Sequence, residues 1–420
     1  MSRLAYVLGL AVLSCKGTPD GTIAIVTGEE TDTFSRAPAP VTLIAEAIAL
    51  DGTRTTIART ALPANMTDMG ERPRSEVGAV AIRALDRAEA TVIRGESLFV
   101  QWGALEATPL DIFVQRTGEL ARMPNGPAFL ADASATLVAG RYLLETSGTT
   151  ASVYDLLTLR TLSSAPALPR PARSVASVGT ATIIIDEAGA STVDLSDGSV
   201  YPLEPPTGGS FAEVAGGQRV GAGELQYVVG ATRGSGPSVR VLRIDGDGKA
   251  TFAALSAPRE GACASWVEGR GLVVIGGDPA ARGAEVLSPA ATVATPLPLP
   301  PDPVRGCAAV TLDTTHVLVV GGTGATSPRV IDLACTADCV PQTWPDTLAL
   351  VRTEAYALGR DAAFVVGDDA NGATHAYRVA ATGLREIPLK VPRRGGRLVP
   401  TPIGSVIIVG GGSGLEQFLE

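Results

Sequence analysis

The sequence predicts an all-β chain: a seven-bladed β-propeller preceded by a small β-sandwich-like domain. Two observations carry this. A phrase of apolar, often β-branched residues running into glycine recurs seven times, and glycines and prolines punctuate the chain throughout, 48 Gly and 30 Pro in 420 residues. Taking Gly148, Gly189, Gly230, Gly276, Gly321, Gly367 and Gly410 as anchors, the spacings are 41, 41, 46, 45, 46 and 43. A period in this range is the signature of a radial or stacked repeat. A chain of this length exceeds one ordinary core, and a propeller escapes that limit because each blade packs only on its neighbours. Aromatic residues make up only 4% of the chain, so packing falls to Val, Ile, Leu and Ala.

The chain begins Met1-Ser2-Arg3, followed by the mostly apolar run Leu4 to Leu13 and then Ser14-Cys15. One positive charge, a short apolar stretch and a small residue describe a secretory signal over residues 1–14. The run is too short to span a membrane as a helix. Val12-Leu13-Ser14-Cys15 resembles the bacterial lipobox, which implies lipidation of Cys15 and an anchor segment at 15–18. Lys16 after the cysteine resembles an outer-membrane destination. An exported lipoprotein is therefore expected, held to the membrane through its N-terminal lipid alone; a plain signal peptide, or a cytosolic start with an incidental Cys15, is the alternative.

Residues 19–105 lack the glycine anchor and read as short strands at 22–27, 41–48, 55–61, 78–84, 91–93 and 97–102. Turn signals such as Asp51-Gly52 lie between them. A small sandwich fits this pattern. From 109 to 420 each unit has one grammar. An Arg or Pro stretch leads into a first strand, the apolar strand ends in Gly, a third strand ends in a turn residue such as Asp155 or Asp245, and a fourth ends in proline. Four strands per period make a blade, and proline marks strand ends and edges. The last unit lacks its fourth strand, and the segment 109–124 supplies one, so both termini are expected to share the closing blade.

The four remaining cysteines form two candidate disulfides. Cys335 and Cys339 bracket a hairpin tip. Cys263 and Cys307 hold near-equivalent positions on consecutive units, where two buried free thiols are the alternative. No Cys-x-x-Cys pair occurs and the only histidines are His316 and His375, so neither a zinc site nor any other metal is expected. The net charge is −9, from 34 basic and 43 acidic residues, without a long basic run. Such a balance argues against a nucleic-acid partner.

Gly-Gly after an apolar strand, in Val319-Val-Gly-Gly322 and Val274-Ile-Gly-Gly277, resembles the kelch repeat, as do Arg before the first strand and Trp344 in a fourth strand. The resemblance covers about residues 110–420. A full Gly-Gly appears in three of the seven units and most lack the Trp. It implies a protein that binds another protein or a glycan; some kelch-like propellers are oxidases. The copper oxidases need paired histidines and a Cys-linked Tyr, whereas His316 and His375 fall on different units.

Five arginines stand 15 to 17 residues before their anchors: Arg173, Arg259, Arg305, Arg352 and Arg394. All start innermost strands, in connectors expected to cluster on one face. Two readings stand. Either they ring the channel mouth and bind an anionic ligand, since guanidinium forks grip carboxylate or sulfate bidentately, or each bridges adjacent blades, as repeated positions usually serve the repeat. Asp245-Gly-Asp-Gly-Lys249 lacks the spacing of a calcium loop and reads as a hairpin turn. The glycine run 410–414 lacks the Lys and helix of a phosphate loop, and no Gly-x-Ser-x-Gly elbow occurs. The expected function is therefore a monomeric, non-enzymatic binding scaffold for an unknown protein or glycan, with no cofactor. A carbohydrate-active or redox enzyme on the same fold and a structural cell-envelope spacer are the alternatives.

Overall fold

A computed structural model describes residues 23–63, 73–105, 109–131, 133–222, 224–230, 238–277, 280, 282–323 and 327–420. The signal, Cys15 and the anchor segment at 15–18 lie outside the described residues. Among those described, the chain is all-β apart from two short 3-10 turns at Trp102–Leu105 and Phe211–Glu213.

Six four-stranded antiparallel sheets are built from consecutive strands. Their innermost strands are Ser134–Val138, Ser174–Val178, Gln218–Ala222, Cys263–Val267, Ala308–Thr311 and Val351–Ala357. A further four-stranded sheet joins Arg397–Pro400, Val406–Val409 and Glu416–Phe418 to Leu120–Arg122, a strand from far earlier in the chain. We number the sheets first to seventh in this order. Each innermost strand touches the next, and Arg397–Pro400 touches Ser134–Val138, so the contacts run in a closed cycle.

Burial explains why the second strand of each unit is the legible one. Gly271–Ile275 and Ala362–Asp368 are buried along their whole length, covered by sheets on both faces. A strand enclosed on both sides reads as a continuous apolar run. The outermost strands have little to bury. Thr295–Pro296 and Gln342–Thr343 are two residues long and exposed, and proline or shortness keeps such edges from pairing with other chains. The anchor glycines are required where the chain turns back against its neighbour: at Gly276 φ is +78°, and a Cβ would lie 2.5 Å from the Val304 carbonyl oxygen.

The N-terminal unit is a six-stranded antiparallel sheet facing a two-stranded parallel one, Ile23–Val26 with Leu110–Phe113. The two share one core containing Leu43, Val80, Ile82, Ile93 and Ile112. The segment 109–124, read from sequence as the closing strand, is divided among three tasks. Leu110–Phe113 completes the parallel pair, Gln115–Arg116 joins Thr91–Glu96 at the edge of the larger sheet, and only Leu120–Arg122 enters the seventh sheet. Asp111 and Phe113 follow strand alternation equally well in either place, so periodicity alone leaves this partition open. Arg116 locks the junction by donating to the carbonyls of Thr33, Arg36 and Pro38.

Both disulfides are formed. Cys263–Cys307 crosses between the fourth and fifth sheets, and Cys335–Cys339 closes a tip within the fifth. Disulfides belong to an oxidising compartment, extracellular or periplasmic. Among the described residues no helix is long and apolar enough to cross a membrane. In the chain-entropy picture a cross-link stabilises more as the loop it closes lengthens. Replacing Cys263 and Cys307 together by Ala is expected to cost about 4 kcal/mol, and the Cys335 and Cys339 pair about 2 kcal/mol. Denaturant unfolding of the two double variants measures the difference, and equal losses would contradict it.

Candidate functional site

The connectors that lead into the innermost strands meet at one end of the ring. Backbone hydrogen bonds chain them together: Gly261 donates to Gly230, Gly306 to Gly261 and Thr353 to Gly306, at 3.1, 2.7 and 3.0 Å. This mouth carries most of the arginines singled out by spacing, and the structure sorts them into two kinds.

Arg259 is fully buried. Its Nε pairs with Glu285, its Nη1 donates to the Gly276 carbonyl at 2.8 Å, and its Nη2 donates to the Arg282 carbonyl. Arg393, which sequence reasoning missed, does the same in the seventh sheet. Its Nε donates to Glu416 at 2.9 Å, Nη1 to the Gly410 carbonyl at 2.9 Å and Nη2 to the Gly414 carbonyl at 3.0 Å. Each of these arginines stands 17 residues before its anchor and bonds that anchor's carbonyl. They tie connector to strand within a sheet.

One register step nearer the anchor the side chains are exposed. Arg305 pairs with Glu260 at 2.6 Å, and Glu260 holds in the fourth sheet the place that Arg305 and Arg394 hold in theirs. Arg352, at φ +51°, reaches Asp368 at 2.7 Å while its own side chain stays 47% exposed. Asp368 is itself buried and also accepts from Thr374 Oγ1 and the Gly395 amide. Arg394 is exposed, and among the described residues it has no ion pair. Arg305, Arg352 and Arg394 therefore lie on three successive connectors. Arg173 pairs loosely with Glu187, at 3.7 Å, on the second sheet. The signal that separates the two kinds is one or two residues of spacing, 17 against 16 or 15.

Below the mouth, three charged groups from the third, sixth and seventh sheets approach one another. Burial pushes the Glu354 carboxyl up, Arg397 and Arg219 pull it back, and Asp368 adds to the rise. Glu354 remains open to the channel, with 32% of its side chain exposed, and accepts from the Leu398 amide. Burial pushes the Arg219 guanidinium down, and Glu354 partly offsets it; Gln226 Oε1 accepts from it at 3.2 Å. Among the described residues, mouth and throat bring together the arginines 219, 305, 352, 394 and 397 and the carboxylates 260, 354 and 368, in a chain whose net charge is −9.

One further carboxyl lies between the first and seventh sheets. Glu145 is 2% exposed, and among the described residues its Oε1 has no hydrogen-bond partner. Burial pushes its pKa up to about 7, with Arg393 opposing. The two histidines stand apart on strands of the fifth and sixth sheets. His316 bonds Asp313, whose carboxyl is held low chiefly by the Thr315 amide, and His375 is raised chiefly by its hydrogen bond to Glu386. Asp245 closes a tight turn, accepting from the Asp247 and Lys249 amides.

No protein-family model matches the chain, and no curated protein sequence does. Among solved structures, a chain of a mitotic checkpoint complex superposes with a TM-score of 0.50 at 11% identity, over 72% of this chain and 92% of that one. The WD40 domain of Toxoplasma gondii coronin gives 0.49 at 12% identity, over 72% and 87%. A fungal alcohol oxidase in complex with copper gives 0.49 at 15%, over 72% and 75%. At such identities the likeness is one of fold, and the fold is a β-propeller.

Two predictions follow from the sorting of these charges. Arg393→Met leaves Glu416 buried without its cation and is expected to cost about 3–5 kcal/mol, whereas Arg305→Ala removes an exposed pair and costs less than about 1 kcal/mol. Urea unfolding of both variants provides the comparison. The raised Glu145 carboxyl stabilises the fold when protonated. Its contribution is complete below the ordinary value of 4.5 and is lost as pH rises through about 7. Glu145→Gln should therefore match the parent at pH 4 and exceed it at pH 8, by about 2–3 kcal/mol. Parallel pH–stability curves would refute this.

Proposed function

We propose that this protein is an exported, lipid-anchored binding scaffold, a seven-bladed kelch-like propeller that takes an acidic protein or glycan ligand at its channel mouth. The observation that carries the reading is the local excess of arginine over carboxylate on an acidic chain. Arg305, Arg352 and Arg394 present their forks to solvent from adjacent connectors, the arrangement suited to carboxylate or sulfate groups spaced along one ligand. Arg173 extends the same basic surface. Arg259 contributes indirectly by holding its connector in place.

The blade count rests on the closed cycle of innermost strands. The kelch likeness rests on paired glycines of positive φ, Gly276-Gly277, Gly321-Gly322 and Gly410-Gly411, and on the buried Trp344. Export and the lipid rest on the apolar start, Cys15 and the disulfides. A protein anchored by one N-terminal lipid acts as a monomer whose propeller faces its ligand.

A second reading, a carbohydrate-active enzyme, draws on one observation. Glu354 is a carboxyl raised by burial beside a second, Asp368, in an open channel, and such pairs serve acid–base chemistry. We favour binding because Asp368 is engaged by Arg352, Thr374 and Gly395, and Glu354 by Leu398 and Arg397.

On a glycan and peptide array, the parent is expected to retain acidic ligands, with affinity falling as salt rises. The triple variant Arg305→Ala, Arg352→Ala, Arg394→Ala should lose about tenfold or more of that binding, with a melting temperature no lower than that of Arg352→Ala alone, which leaves the buried Asp368 without its cation. Binding unaffected by the triple substitution would sink the mouth as the site. Turnover of a bound glycan that Glu354→Gln abolishes would favour the enzyme. Incorporation of tritiated palmitate, expected in the parent and lost in Cys15→Ser, tests the anchor.

A further inference from the structure

Arg219 stands second in the innermost strand of the third sheet, and the charge that offsets its burial is Glu354, on the sixth. Those two sheets are not neighbours in the cycle. Their side chains can sense each other only across the interior of the ring, so Arg219 reaches into the channel. It is half-buried, and Glu354 and Arg397 keep 32% and 27% of their side chains exposed, so the space these three groups face admits water.

One hydrogen bond holds the guanidinium, from Nη1 to Gln226 Oε1 at 3.2 Å. Among the described residues Nε and Nη2 meet no acceptor, and neither is sealed from water. These two nitrogens form the side-on edge of the guanidinium. Elsewhere in the protein the same edge grips both oxygens of a carboxylate. Arg141 holds Asp155 this way at 2.7 Å for each bond, and Arg83 holds Glu46 at 3.2 and 2.6 Å. Gln226 is only 7% exposed, and among the described residues its Nε2 likewise meets no acceptor. Gly221 lies beside both groups and is exposed; a Cβ there would stand 3.3 Å from Gln226 Nε2 and 3.8 Å from Arg219 Nη1, so glycine leaves this space open. Asp368 is met by Arg352, so Arg219 and Arg397 against Glu354 leave one positive charge in the throat. Burial opposes the charge on Arg219, and an anion on its side-on edge would offset that cost.

We propose that the throat reads the end of the ligand, and that Arg219 takes the carboxylate of a terminal sugar acid on its Nε–Nη2 edge. This rests on the reading of the mouth as the site of an acidic ligand, and narrows that ligand to a glycan ending in a uronic acid. The innermost strands wall the throat on every side, so a chain enters it by its end while its next residues lie against the mouth arginines. One carboxylate balances the single positive charge, and a phosphate dianion exceeds it. A hydroxyl both donates and accepts, so the hydroxyls beside the carboxylate of a sugar acid can satisfy the Gln226 donor and the Glu354 acceptor together. The N–H nearest the terminal carboxylate of a peptide can only donate.

The test titrates the full chain by calorimetry with methyl galacturonoside, its carboxamide, trigalacturonate and the acetylated dipeptide Gly-Ser as free acid. The methyl galacturonoside is expected to bind, and its carboxamide to bind about tenfold or more weakly. Arg219→Lys keeps the charge without the two-donor edge and should erase that preference. Arg219→Met should abolish binding of the acid, and Gly221→Val should weaken it, each with the melting temperature of the parent. The mouth variant Arg305→Ala, Arg394→Ala, which leaves Asp368 paired, should bind methyl galacturonoside as the parent does and lose affinity for trigalacturonate. Trigalacturonate binding that needs the mouth arginines and ignores Arg219 would overturn the throat site and leave the mouth standing; the reverse would support the throat and sink the mouth. Equal affinity for acid and carboxamide, no binding of methyl galacturonoside at millimolar concentration, or binding of the dipeptide acid alone would overturn the proposal.

Discussion

A ring of sheets is stable only if every boundary in it is bridged, because a single unbridged boundary leaves two open edges. In this protein the innermost strands carry that burden, and each of the seven boundaries has its own polar tie. Ser177 Oγ donates to the Leu137 carbonyl, and Ser174 Oγ to that of Gly217. Gln218 accepts from the Ala264 amide, and Cys263 is bonded to Cys307. Thr353 donates to Gly306, Glu354 accepts from the Leu398 amide, and Arg397 donates to the Ala133 carbonyl. Apolar packing between sheet faces supplies attraction without direction; these ties set the angle and register at which the faces meet. The groups differ from boundary to boundary, apart from a serine hydroxyl on a carbonyl at the first two, although the repeat is regular. The backbone geometry of the ring is what recurs, and the chemistry that satisfies it varies from unit to unit.

That contrast explains how much was legible in the sequence. The glycine anchors could be read because they recur at the ends of apolar strands, and at Gly230 and Gly276 the requirement is local: a turn of positive φ, pressed against a neighbouring carbonyl, admits no side chain. The Cys263–Cys307 pair could be read because offsets of 13 and 14 residues from the anchors place the two at near-equivalent heights on adjacent sheets. The site was only half legible. Spacing located the arginine-bearing connectors, yet at Arg393 and Arg394 the buried anchor and the exposed neighbour are adjacent residues of the same type. Arg219, Glu354 and Arg397 come from three sheets, and nothing in their spacing announces that they converge. Glu145 was equally silent, since a lone glutamate in a strand reads as a surface residue until a neighbouring sheet covers it. The division of 109–124 among three sheets was hidden for a related reason. Alternation shows that a strand exists and does not show which partner it takes.

The mouth and the throat also differ in what their charges can do. At the mouth, Arg305 keeps nearly half of its side chain in water, so its pair with Glu260 is weak and exchangeable; Arg352 is equally exposed, whereas its partner Asp368 is buried. A ligand's anions can replace or join these partners at small cost. In the throat Arg397 and Glu354 are half-buried, with 27% and 32% of their side chains exposed, and stand 3.7 Å apart. The same residue type thus serves assembly at Arg259 and Arg393, and remains available at Arg305, Arg352 and Arg394. The difference is set by one or two residues of register in each connector.

Leu120–Arg122 pairs with Glu416–Phe418, so the seventh sheet contains strands made early and late in synthesis. On the ribosome, Leu120–Arg122 emerges long before its partner exists. Until the last residues leave the exit tunnel, the outer edge of Glu416–Phe418 and the side of Leu120–Arg122 have nothing to bond, and the circle cannot be sealed. Individual sheets can form as they appear, whereas the seal is a single long-range step whose entropy falls due at the end. Until that step, the unsealed ring remains a string of separable sheets.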